Sequence, residues 1–267
     1  RHLLPGVRLL ILARNGETPA QAAALLCRRG FGESPMTVFE HMGGPDEGRY
    51  DTVAEEWEGR RVKDLNVIAF HLWPSPGATI WPETPGLPEA AFRHDGKITK
   101  REVRAATLAR LQPLPGQLLW DVGAGSGAVA IEWLRAAADA QAIAMERDPA
   151  RFDDIETNAN NLGVPHLKLL KGDAPGCFAD AAAPDAVFVG GGLSQPGVIE
   201  GSLAALKPSG RLVANGVTLE AQETLIQNHR AHGGELTRIA VARADAVGGL
   251  TGMRPLMDVL QWAVTKS

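Results

Sequence analysis

Cysteine is nearly absent: Cys27 and Cys177 are the only two in 267 residues, and no C-x-x-C pair occurs. That excludes a disulfide framework and a thiolate metal site, and two isolated thiols read as small apolar residues in a reducing compartment. Aromatic residues make up 5% of the chain and Tyr50 is the sole tyrosine, so few rings are left for stacking on nucleobases. The seven histidines show no H-E-x-x-H or other paired ligand spacing, and no metal is expected. Gly125-Ser126-Gly127 is not a G-x-S-x-G nucleophile elbow. No apolar run reaches the roughly 18 residues that span a bilayer, and no secretory leader is visible. Net charge is −4, which disfavours a nonspecific nucleic-acid binder. These absences point to a cytoplasmic protein with no nucleic-acid or membrane partner.

Glycine is plentiful where it matters. Leu118-Leu119-Trp120-Asp121-Val122 is an apolar run ending beside an acid, followed by Gly123-Ala124-Gly125-Ser126-Gly127 and an apolar periodic segment from Ala128 to Leu134. This predicts a buried strand, a tight turn and a helix start. Glycine admits positive φ and close ligand approach, and a helix N-terminus offers free N–H groups. The spacing G-x-G-x-G departs from the dinucleotide pattern G-x-G-x-x-G. It resembles motif I of the class I S-adenosyl-L-methionine (AdoMet) methyltransferases. Ala142 to Met145 reads as a second strand ending at Glu146, about 20 residues after the turn, where a carboxylate suits ribose hydroxyls. Leu167 to Leu170 is a third strand, leading into Gly172, Asp173 and Ala174. Asp173 reads either as an adenine contact, as the resemblance implies, or as a helix N-cap.

Asp185 to Val189 is a fourth strand ending in Gly190, Gly191 and Gly192. A helix from Pro196 to Leu206, a strand from Arg211 to Ala214 with Asn215 on its rim, and a helix from Glu220 to Ala231 follow. Strands Glu235 to Val241 and Met257 to Val264 end the chain, joined by a glycine-rich loop, Gly248 to Pro255. The alternation closed by two successive strands predicts an α/β fold. It matches a Rossmann-like seven-stranded class I AdoMet methyltransferase sheet with an antiparallel last strand, preceded by a small α/β partial domain. Prolines at 74, 76, 82, 85 and 88 predict a semi-extended linker. The expected organisation is therefore a first part over 1–73, a linker over 74–92, and the methyltransferase domain over 93–267. The first part reads as strand Val7 to Ala13, a helix from Thr18 to near Gly30, strand Met36 to His41, a helical stretch near Glu55, and strand Leu65 to Leu72.

His94-Asp95-Gly96-Lys97-Ile98-Thr99-Lys100-Arg101-Glu102-Val103-Arg104, Glu146-Arg147-Asp148-Pro149 and the Gly248 to Pro255 loop together resemble the decarboxylating precorrin-6Y C5,15-methyltransferase family of cobalamin biosynthesis. Leu10 to Pro19, Glu40 to Pro45 and Asp64 to Asn66 resemble the back half of the tetrapyrrole methyltransferase domain that such fused enzymes carry first. The resemblance implies methylation of C15 and loss of carbon dioxide from the acetate arm at C12 of a precorrin. With the front half of the first domain missing ahead of Arg1, methylation of C5 by this chain is not expected.

The resemblance places AdoMet on Thr99, Asp121, Gly123, Ala124, Gly125, Ser126, Gly127, Glu146, Arg147, Gly172, Asp173, Ala174 and Gly190. A polycarboxylate macrocycle needs cationic and N–H partners. Lys97, Lys100, Arg101, Arg104, Arg254, Gly191 and Gly192 are the substrate-binding candidates. Thr99 is also a candidate helix cap. His94 and Asn215 are the candidates for proton transfer or substrate orientation, each with a plain loop role as the alternative. A homo-oligomer, possibly a tetramer, is implied by related single domains. The rival functions are an AdoMet-dependent methyltransferase for RNA or protein, a non-catalytic AdoMet-binding module, and NAD binding, which the glycine spacing disfavours.

Overall fold

A computed structural model describes residues 2–267, and the chain divides into two compact units, one running to Pro82 and one spanning Glu83–Ser267. In the first unit, β1 (Arg8–Leu12) leads to α1 (Thr18–Arg28), then β2 (Pro35–Glu40), β3 (Gly48–Val53) and β4 (Asn66–His71). The sheet order is β1-β4-β2-β3, and every pairing is antiparallel. Pro19 opens α1, where a missing N–H costs nothing. Phe31, Met36, Val38, Ile68, Phe70 and Leu72 form the core. β3 is a strand that sequence reading left unassigned. Its residues GRYDTV carry little apolar alternation, and it is held as an edge by its register with β2.

The second unit begins inside the proline-rich stretch, whose residues from Glu83 onward belong to it. It contains α2 (Arg101–Leu111), β5 (Leu118–Val122), α3 (Ala128–Ala136), β6 (Gln141–Glu146), α4 (Phe152–Asn161) and β7 (Lys168–Lys171). β8 (Ala186–Val189), α5 (Val198–Ala205), β9 (Arg211–Gly216), α6 (Leu219–His232) and β10 (Glu235–Ile239) follow, with β13 (Val259–Thr265) last. The seven-stranded order is β10-β13-β9-β8-β5-β6-β7, and only β13 runs antiparallel to its neighbours. β5 and β8 are fully or almost fully buried and read as continuous apolar runs, as parallel strands covered on both faces must.

The glycine-rich loop expected between the last two strands is instead a β-hairpin, β11 (Ala242–Val247) and β12 (Leu250–Pro255). Val247 pairs with Leu250, leaving Gly248-Gly249 as a two-residue turn with Gly248 at φ +60°. Such a tight turn needs positive φ, so a Gly-Gly pair favours a hairpin over an open loop.

A buried ion pair ties residues 86–104 to the sheet's first helix. Arg104 Nε donates to Glu132 Oε1 at 2.7 Å, and both side chains are buried. Glu132 also accepts from the N–H groups of Gly86 (2.8 Å) and Leu87 (2.9 Å). Arg104 donates further to the carbonyls of Thr99 and Leu87 and lies over the ring of Phe92. A buried arginine–carboxylate pair needs further hydrogen bonds to offset its desolvation, and here each guanidinium nitrogen and both carboxylate oxygens have a partner.

Candidate functional site

The strand order reverses between β5 and β8, and a cavity of about 780 Å³ opens above the carboxyl ends of β5 to β9. This is where an open parallel sheet binds ligands. Its floor is the predicted glycine turn. Gly123, Gly125 and Gly127 have φ of +70°, +59° and +74°. A Cβ on Gly123 would lie 2.8 Å from the backbone of Gly191, so the first and fourth strand ends touch main chain to main chain. The N–H groups of Gly123 and Ala124 bond to Met145 O, fastening the turn to β6.

Glu146 is buried at the end of β6 and faces the cavity. Its Oε2 accepts from Gly125 N–H at 2.8 Å, and its Oε1 accepts from Arg147 and Asp148 N–H at 3.1 and 3.0 Å. Arg151 Nη1 is 3.7 Å from the same carboxylate, and Arg151 Nη2 bonds to Asp95 at 2.9 Å. Arg151 lines the cavity and was missed in sequence reading. It sits in a one-turn 3-10 segment after Asp148, where no periodicity singles it out. Burial acts to lower the pKa of Arg151, but the bond to Asp95 and the charges of Glu146, Asp95 and Asp148 raise it overall.

Ala124, Ser126, Arg147, Gly172, Asp173, Ala174 and Gly190 also line the cavity. Gln195 Nε2 donates to Asp173 Oδ2 at 3.0 Å and also lines it, as does Phe188; neither was singled out from sequence. Gly191, Gly192, Lys97, Thr99 and Lys100 line it too. Asn215 of β9 and Val259 of β13 line it, as do Val217, Val241, Leu256 and Met257.

Several predicted site residues lie elsewhere. Asp121 is buried beneath the turn, outside the cavity lining, with Oδ2 accepting from Ala130 N–H at 3.0 Å and Oδ1 unpartnered. Burial, helped by the charge of Glu146, pushes its pKa up to about 7 despite that hydrogen bond. Gly127 also lies off the cavity, where a Cβ would press on Ile155 of α4 at 3.2 Å; its role is helix packing. Arg104 is wholly buried in its pair with Glu132 and presents nothing to a ligand. Arg101 is exposed on α2, and Arg254 is exposed on β12 beside Asp245 at 3.0 Å; neither lines the cavity. Arg254 was displaced because its loop is a strand, and its side chain meets the opposing strand. His94 accepts from Gly96 N–H through Nδ1 at 2.9 Å and shapes a turn outside the cavity. Thr99 is not the helix cap; Lys100 holds that position.

A Gly125 turn locked to Glu146, with that carboxylate facing the cavity, fits AdoMet. Among the described residues, no cluster of three His, Cys, Asp or Glu could hold a metal ion. The fold and this site define a class I AdoMet-dependent methyltransferase. Residues 90–266 match the family described as the precorrin methyltransferase domain. The chain is 46% identical over 265 residues, 99% of its length, to a precorrin-6Y C(5,15)-methyltransferase (decarboxylating) of Sinorhizobium; it spans 64% of that relative's length. It is 35% identical over 161 residues to the cobalt-precorrin-6B C(15)-methyltransferase (decarboxylating) of Salmonella typhimurium, covering 60% of this chain and 79% of that one. The crystal structure of the C-terminal domain of precorrin-6Y C5,15-methyltransferase from Rhodobacter capsulatus superposes with a TM-score of 0.66 at 42% identity, covering 69% of this chain and all of that one. The chain belongs to the precorrin methyltransferase domain family.

Proposed function

We propose that the second unit methylates C15 of a precorrin and removes carbon dioxide from its C12 acetate arm. The observation that carries this reading is the lining of the cavity. Glu146 suits a ribose, and Gly190, Gly191 and Gly192, which line the same cavity without side chains, suit a broad, flat partner. AdoMet, when bound, supplies an activated methyl group. The residues of the chain then have to hold donor and acceptor carbons about 3 to 3.5 Å apart and keep water out. Lys97 and Lys100 are positioned to receive acid arms of the macrocycle. Incubation of the chain with AdoMet and precorrin-6B, followed by product mass, tests the reading. The expected product has gained one methyl group and lost carbon dioxide. S-adenosylhomocysteine formation with an RNA or a protein, and none with the tetrapyrrole, would overturn it.

The first unit reads as the back half of a tetrapyrrole methyltransferase-like domain, supported by a sequence match that runs through it. The chain is further read as a homo-oligomer, supported by exposed Val247, Leu250 and Met253 on the β11–β12 hairpin. No helix among the described residues is long and apolar enough to cross a membrane.

A further inference from the structure

The cavity is chemically lopsided. Its lining cations are Lys97, Lys100, Arg147 and Arg151. The lining residues at the ends of β9 and β13 and at the foot of the hairpin, Val217, Val241, Leu256, Met257 and Val259, are apolar, and Arg243, two residues beyond Val241, is taken up by Glu89 and Glu102. Asn215 is the polar group that lines the cavity with them.

The amide of Asn215 has one defined orientation. Thr107 Oγ1 donates to Val103 O at 2.8 Å, so its oxygen can only accept from the groups facing it. Asn215 Nδ2 (2.9 Å) and Gln261 Nε2 (3.1 Å) both donate to it. Gln261 Nε2 donates in addition to Asn215 Oδ1 at 2.9 Å, and the two residues are direct partners across β9 and β13. Turning the Asn215 amide over would set oxygen against oxygen at Thr107 and NH₂ against NH₂ at Gln261. Thr107 and Gln261 are buried, so no solvent relieves such a clash. Both Gln261 protons are used and one Asn215 proton is used. One Asn215 N–H remains, on a side chain that lines the cavity.

We propose that this N–H holds the acid arm that leaves as carbon dioxide. The inference rests on the function proposed above. In that step the bond between the arm's methylene and its carboxyl carbon breaks, and carbon dioxide departs. The electron pair spreads into the conjugated ring, and the methylene ends as a methyl by taking a proton from solvent water once methyl transfer is over and the site is open again. Negative charge therefore moves away from the carboxyl group as the reaction proceeds. A cation fixed on the carboxylate would stabilise the starting state more than the transition state and slow the step. One neutral donor among apolar residues aims the arm without holding its charge in place, whereas the lysines suit the arms that are kept.

The experiment compares the unaltered chain with Asn215→Leu, Thr107→Val, Thr107→Ser and Val217→Lys. Carbon dioxide release from precorrin-6B, AdoMet affinity and thermal midpoint are measured for each. Asn215→Leu should lower kcat/KM for release about 10-fold or more, with AdoMet affinity within about twofold. Thr107→Val should follow it because the amide loses its orienting partner, and Thr107→Ser should restore the rate. Val217→Lys, at a half-open position, should lower both KM and kcat. Release by Asn215→Leu at the unaltered rate, equal rates for Thr107→Val and Thr107→Ser, or a raised kcat for Val217→Lys would overturn the inference. No release by the unaltered chain would instead overturn the proposed function, and the inference with it.

Discussion

A carboxylate offers about four acceptor positions, and Glu146 fills three of them with the N–H groups of Gly125, Arg147 and Asp148. About one is left for a ribose hydroxyl. Glu146→Ala therefore removes a charged bond to the ligand and also frees the turn beneath it. AdoMet affinity should fall by about 10- to 150-fold or more, the equivalent of about 1.5–3 kcal/mol; calorimetric titration checks it, and unchanged affinity would remove Glu146 from the site. Asp121 makes a prediction of opposite character. Its folded value of about 7 stands above the ordinary 3.8, so the folded state keeps a proton that the unfolded chain releases. That contribution to stability is complete below about pH 4 and is lost as pH rises through about 7. The thermal midpoint of the ligand-free chain should therefore fall between about pH 5 and pH 7.5, and Asp121→Asn should flatten that slope. Glu89 does not interfere in this window. Burial pushes its pKa up, but bonds from Arg243 and backbone N–H groups outweigh this and hold it at about 2, so its share is lost only in strong acid.

The glycine turn and the 86–104 segment act as elements. Gly123→Ala places a Cβ 2.8 Å from Gly191 in a left-handed conformation, so one strand end must move. Loss of AdoMet binding with a lowered midpoint is expected, and a normal titration curve would show that the contact can yield. Arg104→Met leaves Glu132 buried without its cation, at a cost of about 3–5 kcal/mol; urea unfolding measures it. The strands of the second unit were legible because buried parallel strands are continuous apolar runs, and the glycine spacing and Glu146 marked the cavity. Arg104 was misplaced because a cation near a helix N-terminus, where the dipole disfavours it, reads as a partner for a ligand's acid groups. Only Glu132, 28 residues further on, shows otherwise. The hairpin was hidden because ARADAV and LTGMRP leave most side chains exposed and carry no apolar face to register. Arg151 and Gln195 owe their places to tertiary approach, and spacing along the chain does not encode that.

At the scale of the whole molecule, the hairpin presents Val247 (60% exposed), Leu250 (80%) and Met253 (68%) on a ribbon whose two strands pair only with each other. In the homo-oligomer proposed above, Val247 and Leu250, cross-strand partners on one face of the ribbon, would form the association surface, with Met253 on the other face. Sedimentation should show an assembly larger than one chain, and Met253→Glu with Leu250→Glu should shift it to the single-chain mass. An unshifted mass would place the association elsewhere. The tie between Glu132 and the N–H groups of Gly86 and Leu87 also governs how this methyltransferase could be transplanted. A graft started at residue 93 would strip two donors from a carboxylate in the dry interior and unfasten the wall that carries Lys97 and Thr99. A graft started at Glu83 would take its own latch along.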